Sequence, residues 1–100
     1  MIKLSEHINP GTMKKALLMR GLPFRVQNDQ IVEFFRGSNQ NYMFKKNDII
    51  IEEFNGKRTG AALVFFESEQ QAQTAKEQLN NSHLGQRYVE LYDYKDQLMQ

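Results

Sequence analysis

The 100-residue sequence contains no cysteine. That excludes a disulfide framework, thiol catalysis and any cysteine-ligated metal, and it fits a reducing cytosolic or nuclear compartment. Long apolar runs are missing as well. None approaches the ~18 residues that span a bilayer, and the opening Met1-Ile2-Lys3-Leu4-Ser5-Glu6 has no apolar block of the signal-peptide kind. No membrane partner is expected. Histidine is scarce, with His7 and His83 the whole supply. Two are too few for a metal site, so no metal or cofactor is expected and both imidazoles default to solvent. Nor does one sign of charge dominate: 13 Lys and Arg against 12 Asp and Glu leave a net +1. A function that meets a polyanion therefore needs its cations gathered locally.

What remains is an ordinary globular composition, 40% hydrophobic and 25% charged, with room for one modest core. Residues 1–15 carry a turn signal, Asn9-Pro10-Gly11, and no clear period, so they read as an N-terminal tail or linker. The run at 16–20 suits a buried strand, closed by Gly21-Leu22-Pro23. Asn28 is placed to cap a helix with Ile31, Phe34 and Phe35 on one face, and Gly37 sits where it would stop. Residues 38–47 are polar and asparagine-rich, and read as a loop. Residues 49–54 are strand-like and lead into an Asn55-Gly56 turn. Residues 61–66 form the strongest strand. Ser68 with Gln71 makes a capping box for a helix presenting Ala72, Ala75 and Leu79. Asn80-Asn81-Ser82 breaks it, and residues 88–92 supply a last strand.

The order is β-α-β-β-α-β. This is an α+β, ferredoxin-like arrangement, with a four-stranded antiparallel sheet carrying two helices on one face. The domain is expected over residues 16–93, with 94–100 a C-terminal tail. Many functions share that arrangement, so the third strand matters more. It reads Thr59-Gly60-Ala61-Ala62-Leu63-Val64-Phe65-Phe66. An RNA-recognition motif (RRM) carries there K/R-G-F/Y-G/A-F-V-x-F/Y. Gly60, Ala62, Val64 and Phe66 match, whereas Thr59, Ala61 and Leu63 replace the basic residue and both outward aromatics. The split follows the two-residue strand period. Positions that face the helices are kept, and those on which bases would stack are lost.

That pattern resembles the quasi-RRM domains of the heterogeneous nuclear ribonucleoprotein F/H family. The resemblance rests on four strings in order: Arg20-Gly21-Leu22-Pro23-Phe24, Ile31-Val32-Glu33-Phe34-Phe35, Phe54-Asn55-Gly56-Lys57-Arg58-Thr59-Gly60 and Gly85-Gln86-Arg87-Tyr88-Val89-Glu90. It implies the RRM fold and binding of guanosine-rich single-stranded RNA through loops, in pre-mRNA splicing or RNA processing. It also implies an intracellular, chiefly nuclear location, with the cytoplasm open. The family's contacts fall here on Arg20, Phe24, Arg87 and Tyr88. This chain departs from the family at Leu63 and Phe65.

Topology supplies an independent reason for the same residues. Strands flanking the first one bring three loops to one edge, which gathers Arg20, Arg25, Lys57, Arg58 and Arg87 around Phe24 and Tyr88. An aromatic ring or guanidinium can stack on an unpaired base, and an arginine fork matches guanine O6 and N7. The remaining cations can meet phosphates. A rival reading is a protein-interaction module. Leu18, Leu63, Phe65 and Tyr92 should share the outward face, and such a patch fits a protein partner or a cover supplied by the chain, with Leu98 and Met99 as candidates. Catalysis is not expected. Some ferredoxin-like domains hold phosphate in the loop after the first strand, as acylphosphatases do. Here Leu22-Pro23-Phe24 puts a proline where N–H donors would be wanted, and no nucleophile–base pair stands out.

Overall fold

Alternation along the strands builds two apolar layers, one on each face of a single sheet. In the computed structural model, which describes residues 4–94, the elements are β1 (Ala16–Arg20), α1 (Asn28–Arg36), β2 (Ile49–Phe54), β3 (Lys57–Phe65), α2 (Glu69–Leu79), β4 (Ser82–Leu84) and β5 (Arg87–Asp93). Every paired strand is antiparallel, in the order β2-β3-β1-β5-β4. The expected four-stranded sheet thus gains a fifth strand, β4. Asn81 takes a left-handed φ of 65° and donates its N–H to the Val89 carbonyl at 2.9 Å, which starts Ser82 in register with Val89. Three residues after an Asn-Asn-Ser break carry too little period to read as a strand.

The first layer is the core beneath the helices. Leu17, Met19, Ala62, Val64, Val89 and Leu91 pack there with Ile31 and Phe35 of α1 and Ala72 and Ala75 of α2. The α1 cap differs from expectation. Asn28 is the first helical residue, and Gln27 precedes it, donating its N–H to Gln30 Oε1 at 2.8 Å. Ser68 caps α2 as expected, accepting from the Gln71 N–H at 3.1 Å, while the Gln71 side chain accepts from the Glu67 N–H at 3.3 Å. The asparagine-rich stretch holds a core residue. Tyr42 is fully buried, with its ring 5.6 Å from Phe66, and Phe44 packs beside it. The Tyr42 hydroxyl has no hydrogen-bond partner among the described residues, and burial raises its pKa above the ordinary phenol value.

The second layer covers the outward face with the chain's own residues. Leu18 and Leu63 are buried there, 5% and 0% exposed. Leu4 and Tyr94 are buried with them, and Ile8, Met13, Phe65 and Tyr92 pack alongside. The residues before β1 make two 3-10 turns, Leu4–His7 and Met13–Lys15. The driving force is ordinary: burying a leucine is worth about 1.5–3 kcal/mol relative to leaving it wet. The proposed cover from Leu98 and Met99 lies outside the described residues.

The β2–β3 hairpin is irregular. Its turn, Asn55-Gly56, with φ of 53° and 75°, has the geometry that matches strand twist. Behind the turn the ladder slips between the pairs Ile51–Ala62 and Glu53–Arg58. A single residue, Glu52, therefore stands against Thr59, Gly60 and Ala61.

Candidate nucleic-acid interface

Register brings the loops together. Arg20, the last residue of β1, lies opposite Ala61 on one side and Glu90 on the other. The chain then turns through Gly21, whose φ is 85°. A Cβ there would come within 2.6 Å of the Tyr88 carbonyl oxygen, so the first loop passes directly over the start of β5. Leu22 is buried and donates its N–H to the Gly60 carbonyl at 2.9 Å, which ties the same loop to β3. Pro23 accepts from the Val26 N–H at 3.1 Å, closing the turn before α1. Leu22 and Val26 are anchors, and Phe24 between them is lifted out, 61% exposed.

Arg87 reaches across from β5. Its guanidinium carbon lies 5.4 Å from the Phe24 ring centroid, an exposed cation–π contact. Tyr88, 64% exposed, points away from it and lies against His83, with ring centroids 4.0 Å apart. Sequence alone marks His83 as simply solvated. It is exposed, yet it is Tyr88's cross-strand neighbour. The signal for it is the two-residue turn Gly85-Gln86, which sets positions 83 and 88 opposite each other once β4 is recognised. Arg25, Lys57 and Arg58 line an open groove of about 600 Å³ with Phe24, Gln27, Glu53 and Gly56.

The edge is electrostatically available. Among the described residues the ion pair found is Lys76–Asp93 at 3.0 Å, on the helix side. Arg20, Arg25, Lys57, Arg58 and Arg87 have no such partner there, although carboxylates at 52, 53 and 90 are near in register. The Tyr92 hydroxyl donates to Glu90. That bond raises the Tyr92 pKa, helped by lost solvation and by the carboxylate charge, while nearby Arg20 opposes the shift. Of the outward apolar set, Leu18 and Leu63 are closed off, and Phe65 and Tyr92 are half-buried. No group of three or more His, Asp or Glu among the described residues could hold a metal ion.

A sequence model of the RRM domain matches residues 17–100. The chain belongs to the RRM family. Heterogeneous nuclear ribonucleoprotein H of Mus musculus and of Homo sapiens is 35% identical over 92 residues, which cover 87% of this chain and 19% of the relative. Heterogeneous nuclear ribonucleoprotein H2 of Homo sapiens is 32% identical over 91 residues, with the same shares. The chain thus spans about a fifth of the length of these curated relatives (19%). Among solved structures, the Glorund qRRM2 domain has a TM-score of 0.66 at 33% identity, covering 77% of this chain and 84% of that one. G-rich RNA sequence binding factor 1 from Homo sapiens also scores 0.66, at 31% identity, covering 84% and 87%. This RRM is therefore kin to quasi-RRMs, in agreement with its four sequence blocks.

Proposed function

We propose that this RRM binds single-stranded RNA at its loop edge and prefers guanosine-rich sequence. One observation carries the reading: two exposed aromatic rings, Phe24 and Tyr88, stand among five cations free of ion pairs within the described residues, while Leu18 and Leu63 on the sheet's outward face are buried with Leu4 and Tyr94. Base stacking on an aromatic is worth roughly 1–3 kcal/mol, and unpaired cations can neutralise phosphates without first breaking a salt bridge. Arginine forks beside the rings favour guanine, which offers O6 and N7 together. The names of the relatives, a heterogeneous nuclear ribonucleoprotein and a G-rich RNA sequence binding factor, support the same reading. The first name also supports a nuclear location, and a role in pre-mRNA splicing or RNA processing is part of the same proposal. Docking a protein on Leu18, Leu63, Phe65 and Tyr92 would require displacing Leu4 and Tyr94.

The test is titration of the domain with short guanosine-, adenosine-, cytidine- and uridine-rich single strands while amide shifts are followed. Shifts should concentrate at residues 20–25, 56–60 and 85–88, with guanosine binding tightest. Shifts centred on Leu18 and Leu63 with quiet loops would overturn the reading.

A further inference from the structure

A second recess lies beside the loop edge, on the outward face of the sheet. It encloses about 340 Å³ and is floored by Gly60 and Ala61, with Arg20 on one side and Glu52 and Thr59 on the other. Its existence follows from two features of the strands. Ala61 stands where a bulky side chain would fill the space. The slipped ladder sets Glu52 alone against residues 59–61, and such irregularities commonly re-aim a side chain beside a functional site. The Glu52 carboxylate is oriented as well as placed: Oε1 accepts from Thr59 Oγ1 at 2.7 Å. No ion pair among the described residues engages either Glu52 or Arg20.

A carboxylate on β2 and a guanidinium on β1, lining one recess over small residues, form a base-sized frame. With β3 between them, β2 and β1 are separated by about 10 Å of sheet, two strand spacings. Guanine presents two adjacent donors, N1–H and the N2 amino group, on its Watson–Crick edge, and two acceptors, O6 and N7, on the neighbouring side. A carboxylate can accept from the first pair and an arginine can donate to the second. Adenine, cytosine and uracil each place an acceptor next to any donor on that edge, so a carboxylate meets repulsion there.

We propose that Glu52 and Arg20 form a guanine-reading subsite on the outward face, in which Glu52 accepts from N1–H and the N2 amino group and Arg20 donates to O6 or N7. This rests on the loop edge being an RNA site, and it assigns base selection to a residue outside the loop aromatics. Glu52 is a specificity determinant, Thr59 positions it, and Phe24 and Tyr88 supply stacking without choosing the base.

The experiment compares a guanosine-tract single-stranded RNA with the same RNA carrying inosine, which lacks the N2 amino group. Binding is measured by fluorescence anisotropy at fixed salt. The wild-type domain should bind the guanosine strand on the order of tenfold more tightly, the effect of one charge-assisted hydrogen bond. In Glu52→Gln, checked for folding by its thermal transition, the guanosine-to-inosine ratio should fall close to one while binding to the inosine strand persists. Equal wild-type affinity for the two strands overturns the proposal without any variant. So does an unchanged ratio in folded Glu52→Gln, and in both cases the loop-edge site still stands. Failure of the wild-type domain to bind any single strand would remove the site and the subsite together.

Discussion

The guanidinium carbon of Arg87 lies 5.4 Å from the centre of the Phe24 ring, joining the first residue of β5 to the loop after β1. An exposed contact of this kind contributes about 0.5–1 kcal/mol. Its larger effect is to hold a ring and a planar cation at one spot, ready to flank a base. Phe24→Ala should weaken guanosine-tract binding by on the order of 1–3 kcal/mol, and Arg87→Ala should erode the preference for guanosine. The double variant should fall short of the two losses added together, since the residues touch. Isothermal titration of all four proteins checks this, and strict additivity would mean the pair does not act as one platform.

Lys57 and Tyr88 should separate by salt. Lys57, exposed in the hairpin arm, is placed to meet phosphate. Lys57→Ala should weaken all single strands alike and flatten the slope of log K against log salt by about 0.7. Tyr88→Ala should cost roughly 1–3 kcal/mol with the slope almost unchanged. Binding titrations at four salt concentrations distinguish the two behaviours.

Gly21→Ala should be costly for a reason unrelated to RNA. The added Cβ meets the Tyr88 carbonyl oxygen at 2.6 Å in a backbone with φ of 85°. Backbone strain of this kind costs about 1–3 kcal/mol, and about 4–8 °C of melting temperature accompanies each kcal/mol in a domain of this size. The loop and β5 must part to relieve the clash, so amide shifts should spread to residues 87–89. An unchanged melting temperature would show that the close approach is not maintained in solution.

Tyr42 gives a pH signature. Its folded-state pKa is raised by burial, so the fold favours the neutral phenol. That contribution is fully present below the unfolded value of about 10 and is lost as pH rises through the folded value. Tyr42→Phe should therefore lose less stability than wild type above about pH 10 in urea melts. At neutral pH it should be neutral or stabilising by up to about 1 kcal/mol, because a buried hydroxyl without a partner is removed. Marked destabilisation at pH 7 would mean the hydroxyl is hydrogen-bonded after all.

Strong periods made most of the fold readable. The alternation of Ala62 and Val64, continued by Phe66 just past the strand, against Ala61 and Leu63 separates the two faces of β3, and Ser68 announces α2 three residues before Gln71 donates to the cap. Weak or absent periods hid the rest. β4 is too short to alternate, and Tyr42 sits among asparagines where no pattern flags a core residue. The burial of Leu18 and Leu63 depends on Leu4, fourteen residues upstream of Leu18 in a stretch with no period of its own. Within the loops, residue type and topology named Arg20, Phe24, Arg87 and Tyr88 as neighbours. The placement of Glu52 against residues 59–61 was not legible, because it depends on a slipped ladder, and register slips leave no trace in composition.

The sheet's margins also shape how the molecule behaves in company. An exposed strand edge is a template on which another chain can add, and short strands, ladder irregularities and charge blunt it. One margin here is β4, only three residues long, and the other is β2, which carries Glu52 and Glu53 beside the slipped ladder. Neither offers a long flat run of unpaired N–H and C=O groups. Edge-on addition of another chain is therefore disfavoured at both margins of the sheet.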